Sequence, residues 1–582
     1  MQLPRITLIL SFITAVLQLT AQVNTPQIAI NQVGYYPAEA KVAMVINAPD
    51  ATQFYVLSVN KKDTVYRGVL GKAVQSVYSA AITRAAVFTS VKTIGSYVLY
   101  VPGVGFSYPF TVNKNIYQAV AKASAKAFYF QRASMDLQKK YAGIWARAAG
   151  HPDSEVFIHP SAASVSRQAN TAIATPGGWY DAGDYNKYIV NSGITMGTLM
   201  SAYEDYPHYF DSLKTNIPET NNGIPDLLNE TLYNLRWMLT MQDIDGGVYQ
   251  KCTNANFDAM IMPDAAVAKR WVVQKGTAAT LDFCAVMAQA SRICKSFPKQ
   301  LPGLADSCLM ASKLAWAWAI KNPAVIYDQD EMNNQFLPKI VTGGYGDKNF
   351  SDELFWAACE LLATTKDTAY LPFIRKANLV TMGLPGWSNV GLLGCYSLLR
   401  LQKQLPPAAN GFISMMGKKI IDMADALISN GGNKAFGAIF GQSKNEFNWG
   451  SNSGAMNQSI LLVNAYLINK NKKYLAAALT NIDYILGRNA TGYCFVTGFG
   501  TKPAMHPHHR PSVADKLIAP VPGFLVGGPN PGRQDKCFYA NTGIENSYTD
   551  DDCAYACNEI AINWNAPLVY VTNAMEALQE KF

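Results

Sequence analysis

The sequence predicts a small all-β domain followed by a much larger all-α domain. The chain has 582 residues, more than one ordinary domain contains, so at least two domains are expected. Between about Gln27 and Val112, short β-prone runs alternate with Gly, Pro, Asn and Asp, a pattern typical of a β-sandwich. After Asn113, Ala-rich segments with helical spacing recur to the end of the chain, and no second β region is expected.

The individual elements follow from two periodicities. Short runs rich in Val, Ile, Phe and Tyr predict strands, because such side chains favour extended backbone. They cover 28–30, 42–46, 54–57, 86–88, 97–101 and 110–112. Segments with apolar residues at helical spacing predict helices, and about a dozen helices fit into the remaining length. The clearest cover 119–137, 226–241, 277–296, 305–320, 353–365, 412–428, 458–468 and 474–486.

The first residues are typical of a secretory signal. Arg5 provides a positive charge, residues 6–19 are mostly apolar, and Thr20 and Ala21 form a small-residue cleavage point before Gln22. A membrane anchor is the alternative, but an apolar stretch of about 14 residues is shorter than the ~20 that span a bilayer. The sequence therefore predicts a signal peptide over 1–21, no membrane partner, and export as a soluble protein to the periplasm or the medium.

Composition excludes one class of function. Charged residues make up 15% of the chain and aromatic residues 11%, which favours a large buried body with a ring-lined groove. The net charge of +8 comes from scattered residues, without a basic run that interleaves with rings. Nucleic-acid binding is therefore not expected.

The ten cysteines predict buried thiols and leave room for a local disulfide. Those at 284, 294, 308, 359 and 395 lie singly in apolar helical stretches, where a thiol packs as a small hydrophobe. Cys537, Cys553 and Cys557 lie close in sequence and are compatible with one bridge in an exported protein. No two cysteines form a CxxC pair, so spacing gives no support to a cysteine-based zinc site.

The most informative motif is Gly-Gly-Trp-Tyr-Asp-Ala-Gly-Asp at 177–184. It places Asp181 and Asp184 three residues apart, among aromatic residues. Acids surrounded by rings suit a cleft where water is activated beside a sugar, whose apolar face stacks on aromatic side chains. The alternative is a capped turn, since Asp and Gly are common in caps and turns.

A histidine-rich loop supports the cleft interpretation. The segment His-Pro-His-His-Arg-Pro at 506–511 holds three of the six histidines of the chain. His508, His509 and Arg510 would bind sugar hydroxyls and orient a carboxylate through charge-assisted hydrogen bonds. A solvated turn and a metal site are the alternatives, although adjacent histidines do not easily point at one ion.

A third motif lies near the C-terminal end. Glu559 follows Tyr555 and precedes a largely apolar run. A carboxyl at the lip of a buried helix has a raised pKa and can donate a proton near neutral pH. The alternative is an ordinary glutamate at the start of a helix.

Together the three motifs resemble glycoside hydrolase family 9. The Asp-Ala-Gly-Asp tetrad at 181–184, the Pro-His-His-Arg loop at 507–510 and the segment 548–569, with its Asn-Glu pair at 558–559, occur in the family's order. The Ile-Asn-Gln-Val-Gly-Tyr run at 30–35 is similar to the immunoglobulin-like domain that precedes the catalytic domain in one branch of the family. The resemblance spans nearly all of the chain after residue 21.

The resemblance implies a fold and a reaction. The fold is an immunoglobulin-like β-sandwich over 22–113 followed by an all-α (α/α)6 barrel over 114–582, and the reaction is hydrolysis of β-1,4-glucan with inversion. Asp184 is the expected general base, Asp181 helps to hold the attacking water, and Glu559 is the expected general acid. The residues expected to line the cleft or stack on sugars are Trp179, Tyr180, His508, His509, Arg510 and Tyr555.

The resemblance also bears on cofactors and partners. The chemistry needs no cofactor. Calcium is frequent in the family, and Asp243 with Asp245 lies in a loop that would suit it, although acidic loops are usually only solvated. Relatives with this N-terminal domain often have a zinc site after the first barrel helix, but here that segment has His151 and His159 without a cysteine, which argues against zinc. The expected partner is a β-glucan chain, and a monomer is expected.

Two other functions stay open at this point. Exo-action on short β-glucosides or glucosamine oligomers would differ from endo-action by a wall at one end of the cleft, which sequence does not show. A non-catalytic carbohydrate-binding protein is disfavoured, because a protein that only binds has no reason to keep both an acid and a base.

Overall fold

The computed structural model describes residues 27–581, so the predicted signal peptide over 1–21 lies outside the described residues. None of the helices between residues 27 and 581 combines the length and the apolar composition that a bilayer crossing requires.

The N-terminal part of the described chain forms the predicted immunoglobulin-like sandwich. Its strands are β1 (Ile28–Ala29), β2 (Gly34–Tyr35), β3 (Val42–Ile46), β4 (Gln53–Ser58), β5 (Thr64–Val69), β6 (Val74–Gln75), β7 (Ile82–Val87), β8 (Gly95–Val101), β9 (Gly105–Phe106) and β10 (Phe110–Val112). One sheet has the order β1-β3-β7-β6 and the other β2-β10-β8-β4-β5, with β9 on β8. The ring of Phe110 lies 5.6 Å from that of Tyr35 and 5.2 Å from that of Phe88, centre to centre, inside the sandwich. All six predicted strand segments are confirmed.

Twelve of the helices between residues 114 and 581 form the barrel, in two layers. The outer helices are α1 (Gln118–Phe130), α5 (Asp226–Thr240), α7 (Leu304–Lys321), α10 (Leu371–Arg375), α12 (Asn410–Asn430) and α14 (Lys473–Ile485). The inner helices are α3 (Ile189–Asp205), α6 (Thr277–Cys294), α9 (Ser351–Thr365), α11 (Gly391–Arg400), α13 (Ser451–Asn469) and α17 (Ile562–Ala577). Short helices in the connections are α2 (Lys139–Ala142), α4 (Pro207–Ser212), α8 (Gln329–Gln335), α15 (Arg510–Ala514) and α16 (Tyr555–Asn558).

Burial distinguishes the two layers. Helix α6 buries 17 of its 18 residues, so it faces protein on all sides. Helix α12 buries only 5 of its 21 residues, so it is an amphipathic surface helix. The ring closes because α17 packs against both α3 and α13. Helix α3 was not predicted from the sequence; it contains Gly193 and Gly197, residues that lower helix propensity.

The prediction that no second β region follows residue 113 is wrong. Five short strands lie between the barrel helices: β11 (Val156–Ile158), β12 (Ala172–Ile173), β13 (Lys187–Tyr188), β14 (Lys251–Asn254) and β15 (Arg270–Val272). They form one sheet in the order β12-β11-β15-β14-β13. Strands of two to four residues are too short to show a two-residue period, so only tertiary pairing reveals them.

The cysteine predictions are confirmed. Cys537 and Cys553 form a disulfide, whereas Cys557 is a buried free thiol. The five cysteines predicted to be thiols in helical stretches are free and buried. The bridge closes a loop in the segment that leads to Glu559.

The sandwich joins the barrel through buried polar contacts. Asn31 Nδ2 donates to Asp483 Oδ1 at 2.8 Å, and Gln32 N–H donates to the Leu486 carbonyl at 2.9 Å. Asp483 Oδ2 also lies 2.6 Å from Arg488 Nη1, and neither side chain of this ion pair is more than 5% exposed. The pair therefore lies where the two domains meet, out of contact with water.

Asp483→Asn should lower the free energy of unfolding by about 3–5 kcal/mol, because it leaves the buried Arg488 cation without a counter-charge. Urea unfolding followed by tryptophan fluorescence measures the loss. The matched control is Asp425→Asn, which removes a carboxylate 2.7 Å from Lys473 at a site where both side chains are 44% exposed and should leave stability near wild type. Equal stability of the two variants would contradict the role given to the Asp483–Arg488 pair.

Candidate active site

A cleft of about 410 Å³ lies at the N-terminal ends of the inner helices. Asp184 precedes α3, Trp449 precedes α13 and Glu559 precedes α17. The residues that line the cleft are Asp181, Ala182, Asp184, Tyr188, Phe257, Gly343, Gly344, Tyr345, Trp387, Trp449, Glu559, Asn563 and Trp564. The fold thus brings the three predicted catalytic carboxyls to one cleft.

The 181–184 turn is held by backbone contacts with distant segments. The N–H of Ile562 donates to the Asp181 carbonyl at 2.8 Å, and the N–H of Arg510 donates to the Gly183 carbonyl at 3.1 Å. A Cβ atom at Gly183 would lie 2.1 Å from the carbonyl oxygen of His508, so only glycine allows this close approach. These contacts place the turn beside the segment that carries Glu559.

Asp181 and Asp184 have different hydrogen-bond partners. The Tyr188 hydroxyl donates to Asp184 Oδ2 at 3.2 Å. Asn191 Nδ2 lies 2.9 and 3.0 Å from the two oxygens of Asp181, and the Tyr345 hydroxyl donates to Oδ2 of Asp181 at 2.9 Å. Burial and the neighbouring Asp184 charge raise the pKa of Asp181 to about 8. The acid form of Asp181 is therefore favoured near neutral pH.

Glu559 lies in an extended segment between α16 and α17. Its backbone pairs with that of His508, and the N–H of Gly527 donates to its carbonyl at 2.9 Å. Burial and then repulsion by Asp184 raise the pKa of Glu559 well above its usual range, and Arg510 opposes this only in part. A carboxyl with a raised pKa just before a buried helix is what the sequence predicts, and α17 begins three residues later, at Ile562.

Aromatic side chains that the sequence analysis did not assign form much of the cleft wall. Phe257 is 49% exposed and Trp449 is 43% exposed. Trp387 and Trp564 also line the cleft. The ring of Tyr555 lies 5.5 Å from that of Trp449, centre to centre, so Tyr555 supports this exposed ring. Trp387 and Trp449 lie in loops just before inner helices, a signal too weak to separate them from core residues.

Trp179 and Tyr180 do not reach the cleft, which corrects the prediction that they contact substrate. Trp179 is fully buried, with its ring centre 4.7 Å from that of Phe128. Tyr180 is 1% exposed, and its hydroxyl lies 2.9 Å from Nδ1 of His151. Both rings belong to the core behind the 181–184 turn, because the chain passes through the interior before it turns out at Asp181.

The histidine-rich loop divides into buried and half-exposed residues. His509 is 1% exposed and its Nε2 lies 3.1 Å from Gln131 Oε1, so the prediction that it lines the cleft is wrong. His508 is half-exposed. Arg510 Nη1 donates to the Gly183 carbonyl at 2.8 Å, which fastens the tetrad turn. Contact of His508 and Arg510 with a sugar stays a prediction.

The loop with Asp243 and Asp245 does not offer a calcium site. Lys275 Nζ lies 2.7 Å from Asp243 Oδ2 and 2.8 Å from Asp245 Oδ1. Its ammonium group occupies the position between the two carboxylates where a cation would bind. Arg167 Nε also lies 3.3 Å from Asp243 Oδ1, so two cations balance the two acids of this loop.

The segment with His151 and His159 does not suit zinc. Asp153 lies 2.7 Å from Lys187 Nζ and 3.0 Å from Arg270 Nε, and all three side chains are buried. Burial and the Arg270 charge lower the pKa of His151 to about 3. Two cations at this place oppose the binding of a dication, which supports the expectation against zinc.

A second group of acids lies between α6 and α9. Asp282 and Glu353 are fully buried, and in the described part of the chain none of their carboxylate oxygens has a hydrogen-bond partner. Asp347 and Asp352 add negative charge, and together with burial they raise the pKa of Asp282 and of Glu353 well above the usual range. Buried carboxyls without donors need either a proton or a cation.

Comparisons with known proteins identify the family of both domains. The model of glycosyl hydrolase family 9 matches residues 117–572, and that of the cellulase N-terminal immunoglobulin-like domain matches residues 23–105. The xyloglucan-specific endo-β-1,4-glucanase of Bacteroides ovatus is 43% identical over 96% of this chain and 95% of its own length. Endoglucanase D of Acetivibrio thermocellus is 32% identical over 94% of this chain and 82% of its own length.

Solved structures agree as well. A family 9 structure from Bacteroides ovatus superimposes with a TM-score of 0.91 at 42% identity, and covers 96% of this chain and 100% of the other. Because the family model covers the barrel and the likeness extends over both domains, the chain belongs to glycosyl hydrolase family 9 and carries the family's immunoglobulin-like cellulase domain before the hydrolase barrel.

Proposed function

We propose that the protein is an inverting endo-β-1,4-glucanase that acts on xyloglucan or a similar soluble β-1,4-glucan. The observation that carries the proposal is that Asp184 and Glu559 line one cleft together with exposed aromatic rings. Such rings stack on sugar faces. The xyloglucan assignment is supported by the Bacteroides ovatus relative, which is xyloglucan-specific and matches nearly the full length of both chains.

The proposed mechanism uses the two carboxyls in opposite roles. Glu559, kept protonated by its raised pKa, donates its proton to the glycosidic oxygen as the bond from that oxygen to C1 breaks. A water attacks C1 from the opposite face, and Asp184 accepts its proton. Inverting enzymes separate the two carboxyls by roughly 6.5–9.5 Å so that this water fits. Asp181, fixed by Asn191 and Tyr345, would orient it.

Asp184→Asn and Glu559→Gln should each lower kcat on β-glucan by about a hundredfold or more with the fold intact. On an aryl cellobioside with a good leaving group, Glu559→Gln should lose much less, because that leaving group needs no proton, whereas Asp184→Asn should lose as much as on glucan. Initial rates and circular dichroism measure both effects. The control is Asp306→Asn, an exposed acid on α7. Near-normal glucan hydrolysis by either site variant would refute the role of that residue.

Product analysis tests the substrate and the mode of attack. Early in the reaction, the viscosity of a xyloglucan solution should fall faster than reducing ends accumulate, and the first products should be oligosaccharides with α-configured reducing ends. Carboxymethyl cellulose and mixed-linkage glucan, at equal concentration, measure the preference. Release of monosaccharide alone would favour the exo-acting alternative, and β-configured products would refute inversion.

We also propose a structural calcium ion at Asp282 and Glu353. Their partnerless buried oxygens fit a hard cation that prefers oxygen ligands. Within residues 27–581, Asp282 and Glu353 are not part of a cluster of three or more acid, thiol or imidazole ligand atoms. Neutral oxygens would therefore complete the shell around the ion. The ion would stabilise the loops that carry Tyr345 and Trp387.

Calcium should raise the melting temperature, and the rise should grow with pH. The raised pKa values of Asp282 and Glu353 mean that, without a metal, stability falls as pH rises above the unfolded-state pKa of about 4. Calcium binds the ionised form and offsets that loss, so the difference between calcium and EDTA should be larger at pH 7.5 than at pH 5. Asp282→Asn should abolish the difference, and Asp245→Asn should leave it unchanged. A melting temperature indifferent to calcium at both pH values would refute the site.

We further propose export through a signal peptide over 1–21, to the periplasm or the medium, with domain limits at 22–113 and 114–582. A monomer is also proposed.

A further inference from the structure

Lys251 is a buried cation without a carboxylate partner. It lies in β14 opposite Tyr188 of β13 and is 0% exposed. Its Nζ donates to Gln329 Oε1 at 2.7 Å, to Thr342 Oγ1 at 3.0 Å and to the Gly343 carbonyl at 2.6 Å. These acceptors are neutral, and within residues 27–581 its ammonium group forms no ion pair at 4.0 Å or less. Its charge is therefore available to groups slightly farther away.

The cation lies behind the proposed base. Nζ is 5.5 Å from the centre of the Tyr188 ring, and the hydroxyl of that ring donates to Asp184 Oδ2. In the interior, where the effective dielectric is low, a charge at this place acts on Asp184 more strongly than it would through water. Burial lowers the pKa of Lys251 to about 7, and the Asp184 charge counteracts this. Lys251 is thus charged at acidic pH.

The same ammonium group also binds the 343–345 part of the cleft wall. Gly343, whose carbonyl it binds, begins the cleft-lining run that ends at Tyr345. The ring of Tyr345 lies 4.9 Å from that of Tyr188, centre to centre, and its hydroxyl donates to Asp181. Lys251 therefore connects the two tyrosines that hold the two tetrad carboxyls.

The other groups that face Asp184 do not replace this charge. Asp181 on the same turn, Glu559 before α17 and Asp258 in the loop after β14 are acids, which disfavour an ionised base. The phenols of Tyr188 and Tyr345 stay neutral because burial raises their pKa. Burial also lowers the pKa of His508. Two other cations lie near the turn in the described chain. Arg510 donates to the Gly183 and Asp258 carbonyls, and Arg270, which is paired with Asp153, donates to the Tyr185 carbonyl.

We propose that Lys251 is a positioning residue for the catalytic base: its buried charge holds Asp184 in the ionised form, while its hydrogen bonds hold the 343–345 wall. The inference rests on the proposed function, because it takes Asp184 as the base.

The test is the pH dependence of kcat/KM on xyloglucan for Lys251→Met, Lys251→Gln and Lys251→Arg. Removal of the positive charge makes the ionised form of Asp184 less favourable, so Asp184 keeps its proton to higher pH. The acid limb should move up by about one pH unit in the Met and Gln variants, and at the foot of that limb kcat/KM should fall about tenfold. Lys251→Arg keeps the charge and should keep the limb near wild type.

Two further variants separate an effect of Lys251 on the base from a general loss of stability and from a failure of the proposed function. Lys187→Met removes a buried lysine of the neighbouring strand that is already paired with Asp153 at 2.7 Å, so it should lower stability without moving the acid limb. Asp184→Asn, assayed alongside, tests the base itself. An unmoved acid limb in folded Lys251→Met and Lys251→Gln overturns the inference while the proposed function stands. Full activity of Asp184→Asn overturns the proposed function, whatever the Lys251 variants do. If Lys251→Met does not fold, Lys251→Gln decides.

Discussion

The contact between the 181–184 turn and the 559–562 segment is the constraint on which the site depends. It consists of main-chain hydrogen bonds, such as that from Ile562 to Asp181, and it exists because α17 packs between α3 and α13. The acid and the base come from opposite ends of the hydrolase domain, so only a closed ring of helices brings them together. Gly183 is part of the same constraint, since a side chain there would collide with the backbone of His508.

Buried charge is distributed unevenly around this contact. Two buried arginines away from the cleft are matched with acids: Arg132 with Glu219 and Glu230, and Arg488 with Asp483. Within residues 27–581, by contrast, Lys251 has only neutral acceptors, and the carboxyls of Asp282 and Glu353 have no donors. An unmatched buried charge costs stability, and perturbed groups of this kind concentrate where a fold has to do chemistry.

Prediction from the sequence succeeded where a local pattern reports burial. The strands of the sandwich and the amphipathic outer helices, such as α12 and α14, follow from periodicity. The small sheet β11–β15 was missed because its strands are too short to show a pattern. Trp179 and Trp449 are both tryptophans beside glycine in motif-bearing segments, yet one is in the core and the other is 43% exposed. Local sequence does not distinguish them, because burial at a loop position depends on which distant element covers it.

The sequence by itself determined the two-domain order, the family resemblance and the identity of the three acids, since these depend on residue types in a fixed order along the chain. Only the tertiary structure decided which side chains reach the cleft. In the folded chain, Trp179, Tyr180 and His509 are buried behind the site, and Lys275 lies between the two acids of the expected calcium loop. Folding also places Lys251 behind Asp184. The physical reason is that burial and charge compensation are properties of distant groups brought together by folding.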